Sequence, residues 1–109
     1  MKDNRLSTRG RGMKFLKRTT VETMAGYADA GELDNLTGEM VRLSPDALAE
    51  LKALVWLGKD QDSPKHWEAL VIEAKFQLDD QTARYLATTP DLAGVLRRGL
   101  NQLEAAGRI

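Results

Sequence analysis

The side chains able to carry chemistry are few and dispersed. His66 is the single histidine of this 109-residue chain. An imidazole works as a general base only when an acid orients it and a nucleophile or substrate proton lies within reach. Glu68 and Glu73 are near it in sequence but project differently, and the sequence offers no nucleophile–base–orienter set. One histidine with scattered carboxylates also lacks the ligand density of a metal site. The chain has no cysteine. That excludes disulfides, thiolate nucleophiles and Cys-ligated zinc or iron–sulfur centres, and it fits a reducing cytoplasm. Asp79 and Asp80 read as helix caps rather than as an acid–base pair. Arg9-Gly10-Arg11-Gly12 lacks both the spacing and the preceding strand of a phosphate-binding loop. These residues point to a protein that is not an enzyme and that uses no cofactor and no metal.

Two other features could meet a partner. The first is charge. The formal net charge is zero, yet residues 1–18 hold seven basic groups (Lys2, Arg5, Arg9, Arg11, Lys14, Lys17, Arg18) against Asp3, a local charge of +6, and the remainder carries −6. Read as a flexible basic arm, residues 1–18 could contact phosphates in a salt-dependent, sequence-independent way through Arg5, Arg9, Arg11, Lys14, Lys17 and Arg18. The acidic body repels nucleic acid. The arm could equally fold back on that body, on a neighbouring subunit's, or remain solvated. Met13 is an alternative natural start, which would place residues 1–12 outside the native chain. The second feature is apolar surface. Trp56, Ile72 and Phe76 fall away from the main apolar stripes of their helices, and exposed aromatic side chains anchor protein interfaces. For Trp56 the competing reading is a helix end buried all round, beneath the turn Lys59–Asp62.

The elements that position these residues are helical. The composition is 42% hydrophobic and 29% charged, within the globular range. Thr19 and Glu22 have capping-box spacing, which predicts a helix over roughly 20–29 with Met24, Tyr27 and Ala28 on one face and Gly31 as its stop. Residues 31–43 are ambiguous, because Leu33, Leu36, Met40 and Val41 fit a short helix whereas 40–43 also fit extended chain. Ser44-Pro45-Asp46 is a helix start by three separate rules: a capping hydroxyl, proline in the first turn and an acid facing the dipole. Ala47, Leu48, Leu51, Leu54 and Val55 then share a stripe, and Gly58 ends the helix where a positive φ costs glycine little.

Ser63-Pro64 repeats the grammar of Ser44-Pro45. The helix it starts has two apolar stripes: Trp67, Leu70, Val71, Ala74 and Leu78 on one side, Ala69, Ile72 and Phe76 on the other. Two such faces predict a helix contacted from both sides, at the centre of the fold. Asp79 or Asp80 caps a short helix carrying Ala83, Leu86 and Ala87. Thr89-Pro90-Asp91 opens the last helix, whose stripe is Leu92, Val95, Leu96, Gly99 and Leu103, with Leu100 at its edge. Gly99 within that stripe costs about 1 kcal/mol relative to alanine, which a close helix crossing would explain. The fold class is therefore all-α: a compact bundle of four to five short helices over 19–109, preceded by the arm 1–18. No apolar run reaches the roughly 18–20 residues needed to span a membrane, and no apolar segment follows the basic start as in a signal peptide.

Over about residues 46–103 the chain resembles a small family of bacterial helical proteins of uncharacterised function. The resemblance lies in Ala53-Leu54-Val55-Trp56-Leu57-Gly58, Trp67, Ala74, Thr82-Ala83-Arg84-Tyr85-Leu86, Pro90, Leu92, Leu96 and Gly99-Leu100. The chain departs from the family pattern at Lys59-Asp60-Gln61-Asp62, where an Arg-Gly-Asp-like turn is common, and at Arg97-Arg98, where acids are common. The resemblance implies a helical domain and no catalytic residues. The function expected from residues and resemblance together is a protein-interaction or accessory module, joining copies of itself or an unknown protein partner. A nucleic-acid accessory role for the arm is the alternative, and an enzyme using His66 comes last.

Overall fold

The computed structural model of the protein describes residues 12–109. Those residues form six α-helices and one 3-10 turn, with no strand among them. The helices are α1 (Arg18–Asp29), α2 (Leu33–Val41), α3 (Pro45–Gly58), α4 (Trp67–Phe76), α5 (Thr82–Ala87) and α6 (Leu92–Ala105), with the 3-10 turn Pro64–His66 leading into α4. The all-α expectation holds, and the helix count exceeds it because residues 31–43 close into α2. Leu36 and Met40, one turn apart, are both buried there, so the helical period outweighs the extended alternative.

The central helix is α3. It packs against α4, α5 and α6, and it buries Ala47, Ala49, Leu51, Ala53, Leu54, Val55 and Leu57 on several faces. Its small residues let neighbouring helices approach from more than one side. Ser44 caps it as its chemistry predicts: the Oγ accepts the Ala47 N–H at 3.1 Å. Its far end corrects an expectation. Gly58 is the last helical residue and does not take a positive φ. It is glycine because α6 lies against it. A Cβ there would stand 2.0 Å from the Val95 carbonyl oxygen. Gly99 answers from α6, where a Cβ would meet the Leu54 carbonyl oxygen at 2.7 Å. The close crossing expected at Gly99 is therefore present. Gln102 Nε2 and Arg98 Nε donate to the carbonyls of Leu57 (2.9 Å) and Gly58 (3.1 Å), which satisfies the free end of α3.

Three local expectations fail for identifiable reasons. The Thr19–Glu22 capping box is absent, because α1 begins earlier, with Lys17 at its cap and no side-chain cap bond. Thr89-Pro90 does not open α6. Thr89 is consumed by the end of α5, its N–H bonding Leu86 O at 3.1 Å and its hydroxyl bonding Tyr85 O at 3.3 Å. Helix α6 then starts at Leu92, after Asp91 in the left-handed region at φ 54°. Asp79 does not cap α5 either. It forms a turn just before it, accepting the Gln81 N–H (2.9 Å) and the Thr82 hydroxyl (3.1 Å). Gly31 does stop α1: at φ +71° it allows Glu32 N–H to reach back to Tyr27 O at 2.9 Å.

The largest departure is the chain before α1. Residues 12–18, assigned from the sequence to a flexible arm, are part of the folded body. Glu50 of α3 is 3% exposed, and its carboxylate accepts the backbone N–H groups of Lys14 (2.8 Å), Phe15 (3.0 Å) and Leu16 (2.8 Å). The buried Trp67 indole N–H donates to Gly12 O at 2.7 Å. Leu16 is buried in the core. A buried carboxylate is tolerable because three N–H donors saturate it. This strap lays Phe15 beside α4.

Candidate functional site

Helix α4 buries one stripe and exposes the other. Trp67, Leu70 and Ala74 face the core, while Ala69, Ile72 and Phe76 lie on the solvent side. Phe76 is 85% exposed and Ile72 59%. The expectation of a helix buried on both sides within one chain is thus corrected, since α3 occupies the centre and nothing in the described chain covers the outer stripe of α4. Ile72 and Phe76 are four residues apart and share a face. The strap adds Phe15, 58% exposed, which lines a shallow hollow of about 230 Å³ together with Ile72, Val71 and Trp67. Phe15 thus adjoins Ile72, and Phe76 continues the apolar surface one turn along the helix. Charges flank it. Glu68 meets Arg108 at 2.8 Å and Lys75 meets Asp46 at 2.5 Å. Phe15 belonged to the arm in the sequence reading, and only the backbone bonds to Glu50 reveal its place.

Trp56 takes a position between the two expectations for it. It is half-buried against the core, with the Lys52 ammonium 5.7 Å from its ring centre. It lines a separate hollow of about 370 Å³ with Lys52, Gln77, Asp79, Gln81, Thr82 and Tyr85. The structure therefore brings Ile72 and Phe76 together and leaves Trp56 out of that surface.

His66 sits in the 3-10 turn, exposed, with its Nδ1 2.7 Å from Asp62 Oδ1. Asp62 also accepts the Ser63 N–H at 2.7 Å. The bond to His66, then that to Ser63, holds the Asp62 carboxyl below its ordinary value. Neither Glu68 nor Glu73 takes this role. The i, i−4 spacing of Asp62 was the signal that could have found it. The pair is an acid and an imidazole on an open surface, with no nucleophile beside it in the described contacts. Among the described residues no group of three or more His, Asp or Glu could hold a metal ion. No helix there is long and apolar enough to cross a membrane.

Of the proposed phosphate contacts, Arg5, Arg9 and Arg11 lie outside the described residues. Lys14 and Lys17 are exposed. Arg18 turns to the acidic body, pairing with Glu104 at 3.1 Å and Glu22 at 3.5 Å. Arg97 and Arg98 are likewise engaged within the chain, Arg97 with Asp29 at 2.7 Å and Arg98 with Asp91 at 3.5 Å.

Residues 33–105, from α2 to the end of α6, match a protein family described only as being of unknown function. The match contains the segment 46–103 that carried the resemblance. No curated protein and no solved structure matches the chain.

Proposed function

The chain belongs to that family, Protein of unknown function (DUF3775), and from this premise we propose that it is a non-catalytic protein-interaction module of the cytosol, working through the outer face of α4. The observation that carries the reading is the exposure of Phe76 and Ile72 on one face of α4, with exposed Phe15 adjoining Ile72. Leaving such a surface in water forgoes about 25 cal/mol per Å² of burial, and a partner that covers it recovers that free energy. Single exposed apolar residues are ordinary. A cluster of three on one face marks a contact surface. The Asp62–His66 pair, on the exposed 3-10 turn, is read as a contact that holds the turn.

The test is photo-cross-linking in cells from a benzoylphenylalanine placed at Phe76, with Thr23, exposed on α1, as the control position. A discrete protein adduct from position 76 and none from position 23 supports the reading. Absence of any adduct from position 76 overturns it.

A further inference from the structure

The partner of this face can be argued from the helix itself. At about 100° per residue, Ile72 stands at the middle of the outward face, opposite the buried Leu70 and Ala74. Glu68 and Lys75 fall on one side of it, about 40° and 60° away, and Phe76 and Ala69 fall on the other side by similar angles. Consider two such helices packed face to face and antiparallel about a two-fold axis through Ile72. That operation brings a position above the axis against one equally far below it, on the same side. Ile72 then meets Ile72 of the other copy. Lys75 meets Glu68, and Phe76 meets Ala69, each contact occurring twice. The charged flank thus pairs opposite signs, and the apolar flank sets the largest side chain over the smallest. A parallel pairing gives neither match, because its two-fold axis runs along the helices and sets the charged flank of one copy against the apolar flank of the other, Glu68 beside Ala69 and Lys75 beside Phe76.

Resting on the interaction reading above, we propose that the partner is a second copy of this chain, joined through an antiparallel α4–α4 contact centred on Ile72. The charges extend this contact. Arg108 already holds Glu68 and Asp46 already holds Lys75, so each flank becomes an alternating row of four charges across the interface. The area is sufficient for a reversible dimer. The exposed fractions of Phe76, Ile72 and Phe15 correspond to roughly 400 Å² of apolar surface per copy, given about 150–250 Å² per aromatic side chain. At an apolar share of about 60%, two copies bury roughly 1,300 Å² in total, the lower end of the standard interface range. The second apolar stripe of α4, which has no cover among the described residues, acquires one.

The chain has no native cysteine, so a single introduced thiol gives a clean readout. Ile72→Cys, oxidised in dilute solution, is expected to yield a disulfide dimer, whereas Thr23→Cys on α1 is not. A charge exchange tests the register. Glu68→Lys and Lys75→Glu each set like charges opposite one another, twice per dimer, and are each expected to weaken self-association about tenfold. Mixed one to one they are complementary at both places, and the mixture is expected to recover the wild-type association in sedimentation velocity. Failure of the mixture to associate more tightly than either variant alone overturns the proposal, as does equal disulfide formation from positions 72 and 23. The two readings fail separately. If the purified chain stays monomeric while position 76 cross-links in cells to a protein of another size, self-pairing is wrong and the interaction surface stands.

Discussion

Replacing Gly58 by alanine is expected to destabilise the fold, although alanine is the better helix former. The methyl group would lie 2.0 Å from the Val95 carbonyl oxygen, 2.8 Å from its carbonyl carbon and 2.9 Å from Val95 Cγ1. Two of the three are backbone atoms, so no rotamer change relieves the clash. Ordinary contact begins near 3.4 Å. Helices α3 and α6 must therefore part by more than an ångström at a crossing that also carries the bonds from Arg98 and Gln102 to the end of α3. Overpacking of a tight core costs about 1–3 kcal/mol, and weakening those two bonds adds about 1 kcal/mol. The helical preference of alanine returns less than about 1 kcal/mol. The net loss is about 2–3 kcal/mol, or roughly 10–20 °C in Tm for a domain of this size. Gly26 is the internal control: it lies in α1, exposed, with nothing within 4 Å of the position its Cβ would take. Gly26→Ala should raise Tm by a few degrees, from about 0.5–1 kcal/mol. Thermal melting of both variants by circular dichroism decides it. If Gly58→Ala melts within 2 °C of wild type, or the two variants move Tm in the same direction, the account of the α3–α6 crossing is wrong.

Two further outcomes follow from the contacts around α3 and α4. Glu50→Gln keeps the shape of the clasp but removes its charge and turns an amide N–H₂ toward one strap donor. It should cost about 1–3 kcal/mol and speed amide exchange at Phe15 and Leu16 while leaving α6 protected; unchanged exchange there would refute the clasp. The Asp62 carboxyl should titrate below the ordinary aspartate value and move up in His66→Ala, read by carbon NMR. A depressed carboxyl pKa contributes stability at neutral pH that is lost as pH falls through the folded value. Because the Asp62–His66 pair lies at the surface and is screened by solvent, the melting temperature should barely register it.

The parts of the fold that the sequence discloses are those set by neighbours along the chain. Ser44-Pro45 marks a helix start because the cap, the fixed φ and the first-turn acid all act within four residues. Gly99 is legible because glycine inside a helical stripe needs a reason, and a close crossing is the common one. Hydrophobic period fails where the question is which neighbour covers a face. The two stripes of α4 look alike in sequence, and only the position of α3 decides that Trp67 turns inward and Phe76 outward. Glu50 is hidden for the opposite reason. Carboxylates belong at the surface, and the donors that make this one tolerable lie 34 to 36 residues away along the chain. The same long-range bonds turn residues 12–18 from apparent arm into folded strap, and so bring Phe15 to the candidate surface. Of that surface the sequence singles out Ile72 and Phe76, both exposed, while Trp56, for which it left burial and exposure open because half-burial is not a matter of helical angle, is half-buried beside Lys52.

The central claim is that two copies of this protein pair through the outer face of α4, and sedimentation equilibrium of wild type and Phe76→Glu, from micromolar to millimolar concentration, tests it most directly. The account predicts that the wild-type mass rises from 12.1 kDa toward twice that value with a micromolar midpoint, while Phe76→Glu, equally well folded because Phe76 is 85% exposed, stays at the monomer mass throughout. Identical mass curves for the two proteins would contradict it.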